Sequence, residues 1–226
     1  RIFNPDEGSG AMDWKVNLGV AVLAMLLVIS IVAVLVFLVV PLAVTSRPQR
    51  ISTQGLFYFV AIGLGYILVE VSFIQRFVLF LGHPTYALTV VIFLMLLSSG
   101  AGSVMSRVWI RETRRVWLAL AVIIAALLVY SSLLPPTLEH LVGLPFLVKL
   151  VVSATFLVPL GFVMGMPFPT GLRILAENSG RLLIESSVEW AWAMNAASSV
   201  LGSVLAIVIA ILYGLTATLV CGAAAR

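Results

Sequence analysis

Residues 57–107 read FYFVAIGLGYILVEVSFIQRFVLFLGHPTYALTVVIFLMLLSSGAGSVMSR. Two apolar stretches make up this sequence, and a Gly-His-Pro-Thr-Tyr turn at residues 82–86 separates them. Glu70, Gln75 and Arg76 interrupt the first stretch. A carboxylate at the centre of a lipid bilayer costs about 2.5–3.5 kcal/mol on insertion scales, so such a residue usually faces a protein interior and has polar partners. The stretch therefore predicts two membrane-spanning helices that enclose a polar core.

The composition of the whole chain agrees with a membrane protein. Of its 226 residues, 62% are hydrophobic and 10% are charged, whereas soluble domains carry about 25% charged residues. The apolar runs are long and unbroken, unlike the short alternating segments of a membrane β-barrel. We therefore predict an all-α fold, a polytopic transmembrane helical bundle.

The apolar runs predict about six spans and the domain limits. Residues 1–17 are expected to form a polar N-terminal tail or linker, and residues 18–226 a single transmembrane helical domain. The fourth span is expected to end at Pro135-Pro136, and Pro167 and Pro169 predict a broken element after span five. A last apolar piece, 216–226, is too short to cross a bilayer and predicts a half-segment. The six predicted spans are 18–42, 56–81, 86–105, 116–134, 145–164 and 191–213.

The basic residues predict the orientation of the spans. Most of the 13 lysines and arginines fall in the loops after spans one, three and five. By the positive-inside rule these loops are cytoplasmic, which places the N-terminus outside. The same rule accounts for the net charge of +4, so no nucleic-acid partner is predicted. The residues that set this orientation are Arg47, Arg50, Arg107, Arg111, Arg114, Arg115, Arg173 and Arg181.

Polar residues within the spans predict an intramembrane cluster that is a candidate for ligand binding. Arg76 lies about 120° around the helix from Glu70, so the two cannot pair on a regular helix. The candidate partners of Glu70 are Arg76 after a local kink, Asn195, hydroxyl groups of span three, or backbone donors near Pro167. The cluster is either a polar pocket or ion path, or a structural knot of hydrogen bonds. Its predicted members are Glu70, Gln75, Arg76, His83, Tyr86 and Asn195.

The remaining motifs favour helix packing over chemistry. His83 and Pro84 predict the start of a helix, and Cys221 is expected to be a buried, inert thiol. With one other histidine, His140, no metal site is expected, and the sequence contains neither a Walker loop nor a recognisable nucleophile–base pair. We therefore predict no catalytic residue, no cofactor and no enzymatic activity for this chain. Small residues predict close helix contacts: Ser98, Ser99, Gly100, Gly102 and Ser103, then Gly161 and Gly165, then Asn195, Ser198, Ser199, Gly202 and Ser203.

Several segments resemble the membrane region of bacterial membrane-bound spermidine-synthase-like (polyamine aminopropyltransferase-like) proteins. The resemblance covers most of the chain after residue 56. In that family a soluble domain that holds an S-adenosyl cofactor accompanies such helices, and this chain contains no such domain. The resemblance implies a bacterial cytoplasmic (inner) membrane location. The matching segments are GLGYILVEVSFIQRFVLFLGHPTYAL (63–88), SGAGS (99–103), GMPFPTGLR (165–173) and WAWAMNAASSVLGSVLA (190–206).

Three functions follow as hypotheses. The first is a non-catalytic membrane module, an anchor and scaffold with an intramembrane pocket for a cation such as a polyamine. The second is an accessory structural subunit of a larger, energy-transducing membrane complex. The third is a small transporter for a cationic solute, because broken helices are common at transporter sites. The expected partners are the lipid bilayer and either other membrane subunits or further copies of this chain.

Overall fold

A computed structural model describes residues 14–44, 53–110, 113–178 and 184–225. Within these ranges all regular secondary structure is α-helical. Six helical segments are long and apolar enough to cross a membrane, and the fifth runs over both α5 and α6. The predicted all-α polytopic bundle is therefore confirmed. The helices are α1 (Trp14–Val44), α2 (Thr53–Leu81), α3 (Pro84–Trp109), α4 (Thr113–His140), α5 (Phe146–Met164), α6 (Pro167–Asn178), α7 (Ile184–Tyr213) and α8 (Leu215–Ala224).

Helix α2 is the centre of the bundle. It packs against α3, α7 and α8, and α5 packs in turn on α3. Its apolar span is 44% buried, whereas that of α1, which packs mainly on α7, is 6% buried. The largest core cluster includes Phe73, Phe77 and Phe80 of α2 together with Met95 of α3 and Leu157 of α5. The buried face of α2 therefore lies in the interior of the bundle, and Glu70, Ser72 and Arg76 are on its buried positions.

Glycines set the distance between α3 and α5. A Cβ atom on Gly102 would collide with the carbonyl group of Phe162, and one on Gly165 would collide with the backbone of Ser99. A Cβ on Gly161 would meet the Ser98 hydroxyl. The two backbones approach this closely only because these positions lack a side chain. Gly102, Gly161 and Gly165 therefore pack closely as predicted, whereas the prediction is wrong for Gly100, where a Cβ would meet nothing within 4 Å.

Helix α7 crosses α2 in the same way. A Cβ atom on Gly202 would collide with Ile67, and one on Gly63 would collide with Ser198 and Asn195. The Ser199 hydroxyl also donates a hydrogen bond of 3.3 Å to the Gly63 carbonyl. Small residues on both helices thus place α7 against α2, as predicted for span six.

The fourth span is longer than predicted. Helix α4 continues through Pro135 and Pro136 and ends at His140. Each proline removes one intrahelical hydrogen bond, but Leu134 is fully buried and Leu138 is 6% exposed in the core cluster. Burial of these leucines on both sides of the proline pair holds the backbone helical, a case in which tertiary packing overrides local propensity.

The predicted break after span five is present. Helix α5 ends at Met164 and α6 begins at Pro167. The Tyr58 hydroxyl donates a hydrogen bond of 2.7 Å to the Pro167 carbonyl, which ties the start of α6 to α2. Pro169 lies in the first turn of α6. An N–H group at this position would have no intrahelical acceptor, so the proline removes no helical hydrogen bond.

The C-terminal half-segment is also present. Gly214 has a φ of 87°, which ends α7 and starts α8. Ten residues of α8 extend over about 15 Å, half the thickness of the hydrocarbon layer. Cys221 is exposed rather than buried, because Leu219 and Gly222 occupy the face of α8 that packs on the bundle.

Two groups of predictions fall outside the described residues. Residues 1–13 of the predicted N-terminal tail lie outside the described residues. Of the arginines that set the predicted orientation, Arg47, Arg50, Arg111 and Arg181 lie there as well.

Candidate functional site

The six predicted cluster residues lie at different levels of the bundle. Asn195 is beside Gly63, in the first half of α2, whereas Glu70, Gln75 and Arg76 follow about two to four turns later. His83 lies beyond the end of α2. Because α2 rises about 1.5 Å per residue, this distribution extends over about 30 Å. The structure therefore does not gather all six side chains around one point.

Glu70 is a largely buried residue, and its carboxylate has no hydrogen-bond partner in the part of the chain that the structure describes. It is 9% exposed, and within the described residues its carboxylate forms no hydrogen bond or ion pair with any of the predicted partners. The prediction that neighbouring helices supply a partner for Glu70 is therefore wrong for the described part of the chain. A buried carboxylate usually pairs with a cation or accepts hydrogen bonds, so Glu70 is the position on α2 best suited to a cationic ligand.

Glu70 belongs to a polar face of α2 that Gly63 and Tyr66 share. Around the helix axis Glu70 lies about 20° from Gly63 and about 40° from Tyr66. The side-chain oxygen of Asn195 lies 2.8 Å from the position that a Cβ on Gly63 would occupy. The Tyr66 hydroxyl is 3.5 Å from the Ser99 hydroxyl. We use the name α2 polar face for Gly63, Tyr66 and Glu70 of α2 together with their neighbours Asn195 of α7 and Ser99 of α3.

Two helices border the α2 polar face. Gly63 contacts α7 through Asn195, and Tyr66 contacts α3 through Ser99. Both helices pack on α2, but they make at most a marginal contact with each other within the described residues. Glu70 therefore lies on the side of α2 between α3 and α7. The side-chain amide of Asn195, beside Gly63, is about 10 Å away from Glu70 along the helix axis.

Arg76 points to a different neighbour. Its Nη2 donates a hydrogen bond of 2.8 Å to the Thr216 hydroxyl of α8. The side chain is 8% exposed, and its Nε has no hydrogen-bond partner within the described ranges. Arg76 and Glu70 do not pair, as their separation around the helix predicts. Gln75 is half-buried.

His83 and Tyr86 form the start of α3. The Nδ1 atom of His83 accepts a hydrogen bond of 3.2 Å from the N–H group of Thr85, and Pro84 is the first helical residue. The rings of His83 and Tyr86 are 5.5 Å apart, and both residues are exposed. The predicted helix-terminus role of His83 is confirmed. The pair is remote from Glu70.

Arg173 has a structural role that the sequence reasoning missed. Its Nη2 donates hydrogen bonds of 3.1 Å to the carbonyl groups of Ser106 and Ile110 at the end of α3. A third bond of 3.1 Å reaches the Thr170 hydroxyl. Basic side chains satisfy the free carbonyls of a helix C-terminus. From the sequence, Arg173 was interpreted only as a basic loop residue. Its contact with α3 could not be predicted, because α3 is distant from it in the chain.

No protein-family model, no curated protein and no solved structure matches this sequence. The function is therefore inferred from the positions of these side chains in an integral membrane protein that lipid surrounds.

Proposed function

We propose that this chain is the non-catalytic membrane module of a spermidine-synthase-like protein, and that Glu70 binds a cationic solute such as a polyamine. The observation that supports the proposal most is Glu70, a residue that is 9% exposed and whose carboxylate forms no hydrogen bond or ion pair within the described residues. The module acts as an anchor and scaffold, because α2 is the helix around which the others pack.

A polyamine suits this position because of its charge. An ammonium group about 4 Å from a carboxylate gains about 4 kcal/mol at an effective dielectric constant of 20. A second amino group has hydrogen-bond acceptors on the same face, in the Tyr66 hydroxyl and the Asn195 amide. A ligand that carries several positive charges along a flexible chain thus matches the α2 polar face better than a metal ion does.

The scaffold role rests on the contacts around α2. Gly63 and Gly202 bring α7 to α2, and Gly222 of α8 lies against Val69. Packing of this kind fixes backbone positions to within a few tenths of an ångström, because interiors are close-packed. Such a frame can present one carboxylate at a constant depth in the membrane.

Thermal unfolding in detergent tests the proposal. Spermidine is added to the purified protein, to Glu70→Gln and to Glu177→Gln, whose carboxylate is exposed on α6. At a hundred times the dissociation constant, a bound ligand stabilises by about 2.7 kcal/mol. The unfolding midpoint of the wild type and of Glu177→Gln should rise, and that of Glu70→Gln should stay constant. An equal rise in all three proteins would contradict the proposal.

An accessory subunit of a larger membrane complex is the second candidate function. Helix α1 favours it, because α1 packs mainly on α7 and its apolar span is 6% buried. Isolation of the tagged protein in a mild detergent separates the two functions. An accessory subunit co-purifies with other subunits in a fixed ratio, whereas an independent module is recovered alone or as copies of itself.

The break between α5 and α6 gives less support to a transporter. The N–H groups of Gly165 and Met166 donate to carbonyls of α5, at 2.9 Å and 3.2 Å. The Pro167 carbonyl accepts from Tyr58, and the Met166 carbonyl accepts from Thr170 at 2.8 Å. Because these backbone groups already have partners, the arrangement favours a structural role for the break over the coordination of a transported ion.

A further inference from the structure

A second polar site lies at the end of the bundle where α2 and α4 end and α8 begins. A cavity of about 250 Å³ opens there. Its charged lining residues are Arg76 and Glu139, and the rest of its wall is apolar. The cavity is separate from the α2 polar face, because Arg76 lies about 120° around α2 from Glu70. The apolar lining residues are Leu79, Phe80, Pro135, Leu138, Val142 and Leu215.

Arg76 supplies a buried positive charge to this cavity. The residue is 8% exposed, and its guanidinium donates a single described hydrogen bond, from Nη2 to Thr216. The Nε atom itself is fully buried and has no hydrogen-bond partner among the described residues. A guanidinium group is charged throughout the physiological pH range and matches the geometry of phosphate oxygens. Because Arg76 lines the cavity, its positive charge favours an anionic ligand there.

The N-terminus of α8 adds to the positive potential. Gly214 precedes α8 and provides no side-chain capping bond. The first N–H groups of a helix have no intrahelical acceptor, and the helix dipole is positive at this end. The Thr216 hydroxyl accepts from Arg76, so its own proton is free for donation to a ligand. Helix N-termini of this kind bind phosphate groups.

Glu139 indicates that the ligand also carries a positive charge. Its exposed carboxylate lines the same cavity, and it would repel a simple anion but attract an ammonium group. Leu79, which is 77% exposed, and Val142, which is 50% exposed, give the opening an apolar rim. The cavity therefore suits a molecule with a phosphate, an ammonium group and an apolar body.

We propose that this cavity binds the head group of a zwitterionic phospholipid. The phosphate lies at Arg76 and the first turn of α8, the ammonium group lies at Glu139, and an acyl chain follows Leu79. The level of the cavity agrees with this ligand, because α2 ends at Leu81 and lipid head groups lie where membrane helices end. The proposal does not depend on the role of Glu70.

Native mass spectrometry of the detergent-solubilised protein tests it. Phosphatidylethanolamine and phosphatidylglycerol are titrated against the wild type, Arg76→Gln, Glu139→Gln and the control Arg107→Gln, whose side chain is exposed at the end of α3. The wild type and the control should prefer phosphatidylethanolamine. Arg76→Gln should weaken binding of both lipids by about tenfold to a hundredfold, the loss of a charge-assisted hydrogen bond. Glu139→Gln should remove the preference between the two lipids.

Two further measurements complete the test. If Arg76→Gln does not fold, Thr216→Val, at an exposed position, removes the hydroxyl that holds the guanidinium and should weaken binding in the same direction. Free phosphoethanolamine should compete only weakly, because it lacks an acyl chain. Equal binding by all variants would overturn the proposal. Competition by phosphoethanolamine at lipid-like concentrations would overturn the lipid assignment in favour of a soluble zwitterion.

Discussion

Arg76 donates a hydrogen bond of 2.8 Å to Thr216 on α8, and it does not pair with Glu70 on its own helix. Two opposite charges six residues apart on one helix are thus directed to different sides of the bundle. The arginine joins α2 to the short last helix and borders an open cavity. The glutamate is left on the polar face between α3 and α7. These two charges therefore do not neutralise each other.

The crossing of α3 and α5 depends on Gly102. Gly102→Leu places a side chain where the Phe162 carbonyl lies, and overpacking of this kind costs about 1–3 kcal/mol. We expect a lower unfolding midpoint in detergent, measured by tryptophan fluorescence. Gly100→Leu is the matched control, because a Cβ at Gly100 meets nothing within 4 Å. Equal destabilisation by both changes would contradict this account of the crossing.

The turn between α7 and α8 depends on Gly214. Its φ of 87° and ψ of 168° lie in a region that is essentially restricted to glycine, and another residue there costs about 1–3 kcal/mol. Gly214→Ala should therefore lower stability in the same unfolding assay. Gly143→Ala, at a site that is open around its Cβ position and has no positive φ, should leave stability nearly constant. An unaffected Gly214→Ala protein would show that the two helices tolerate another connection.

The end of α3 depends on Arg173. Arg173→Gln removes hydrogen bonds to the Ser106 and Ile110 carbonyls, and a hydrogen bond from a charged group contributes about 1.5–3 kcal/mol. Amide hydrogen exchange near the end of α3 and α6 should speed up in this variant. The exposed Arg107→Gln variant, on the same helix, should exchange at the wild-type rate. Unchanged protection in Arg173→Gln would remove the capping role.

The orientation of the chain is open to a labelling experiment. In a Cys221→Ala background, single cysteines replace Arg107 at the end of α3 and Glu139 at the end of α4. The basic loops predict that residue 107 is cytoplasmic and that residue 139 is external. A membrane-impermeant thiol reagent should label position 139 in intact cells and position 107 only in inverted vesicles. The reverse pattern would place the N-terminus inside.

Patterns local in the chain predicted most of the fold. Apolar run lengths predicted the spans, Pro167 predicted the break before α6, and small residues predicted close helix contacts without indicating which helices meet. The end of α4 was predicted wrongly because Leu134 and Leu138 pack in a core that local propensity does not reveal. Helix boundaries depend on such tertiary contacts.

The site was predicted only in part. Glu70 and Arg76 are unusual residues for a membrane span, and the helical period correctly kept them apart. Their neighbours could not be predicted, because Thr216 lies on a helix whose position depends on the turn at Gly214. Arg173 was missed for the same reason: its acceptors on α3 are far away in sequence. Long-range pairs of this kind require knowledge of the packing.

Equilibrium dialysis of labelled spermidine against the purified protein tests the role of Glu70 most directly. Spermidine should bind saturably to the wild type and to Glu177→Gln, bind more weakly as ionic strength rises, and fail to bind to Glu70→Gln. Because Glu177 is exposed on α6, its removal changes the net charge of the protein equally without altering the interior. Saturable binding by Glu70→Gln with wild-type affinity would contradict the central claim.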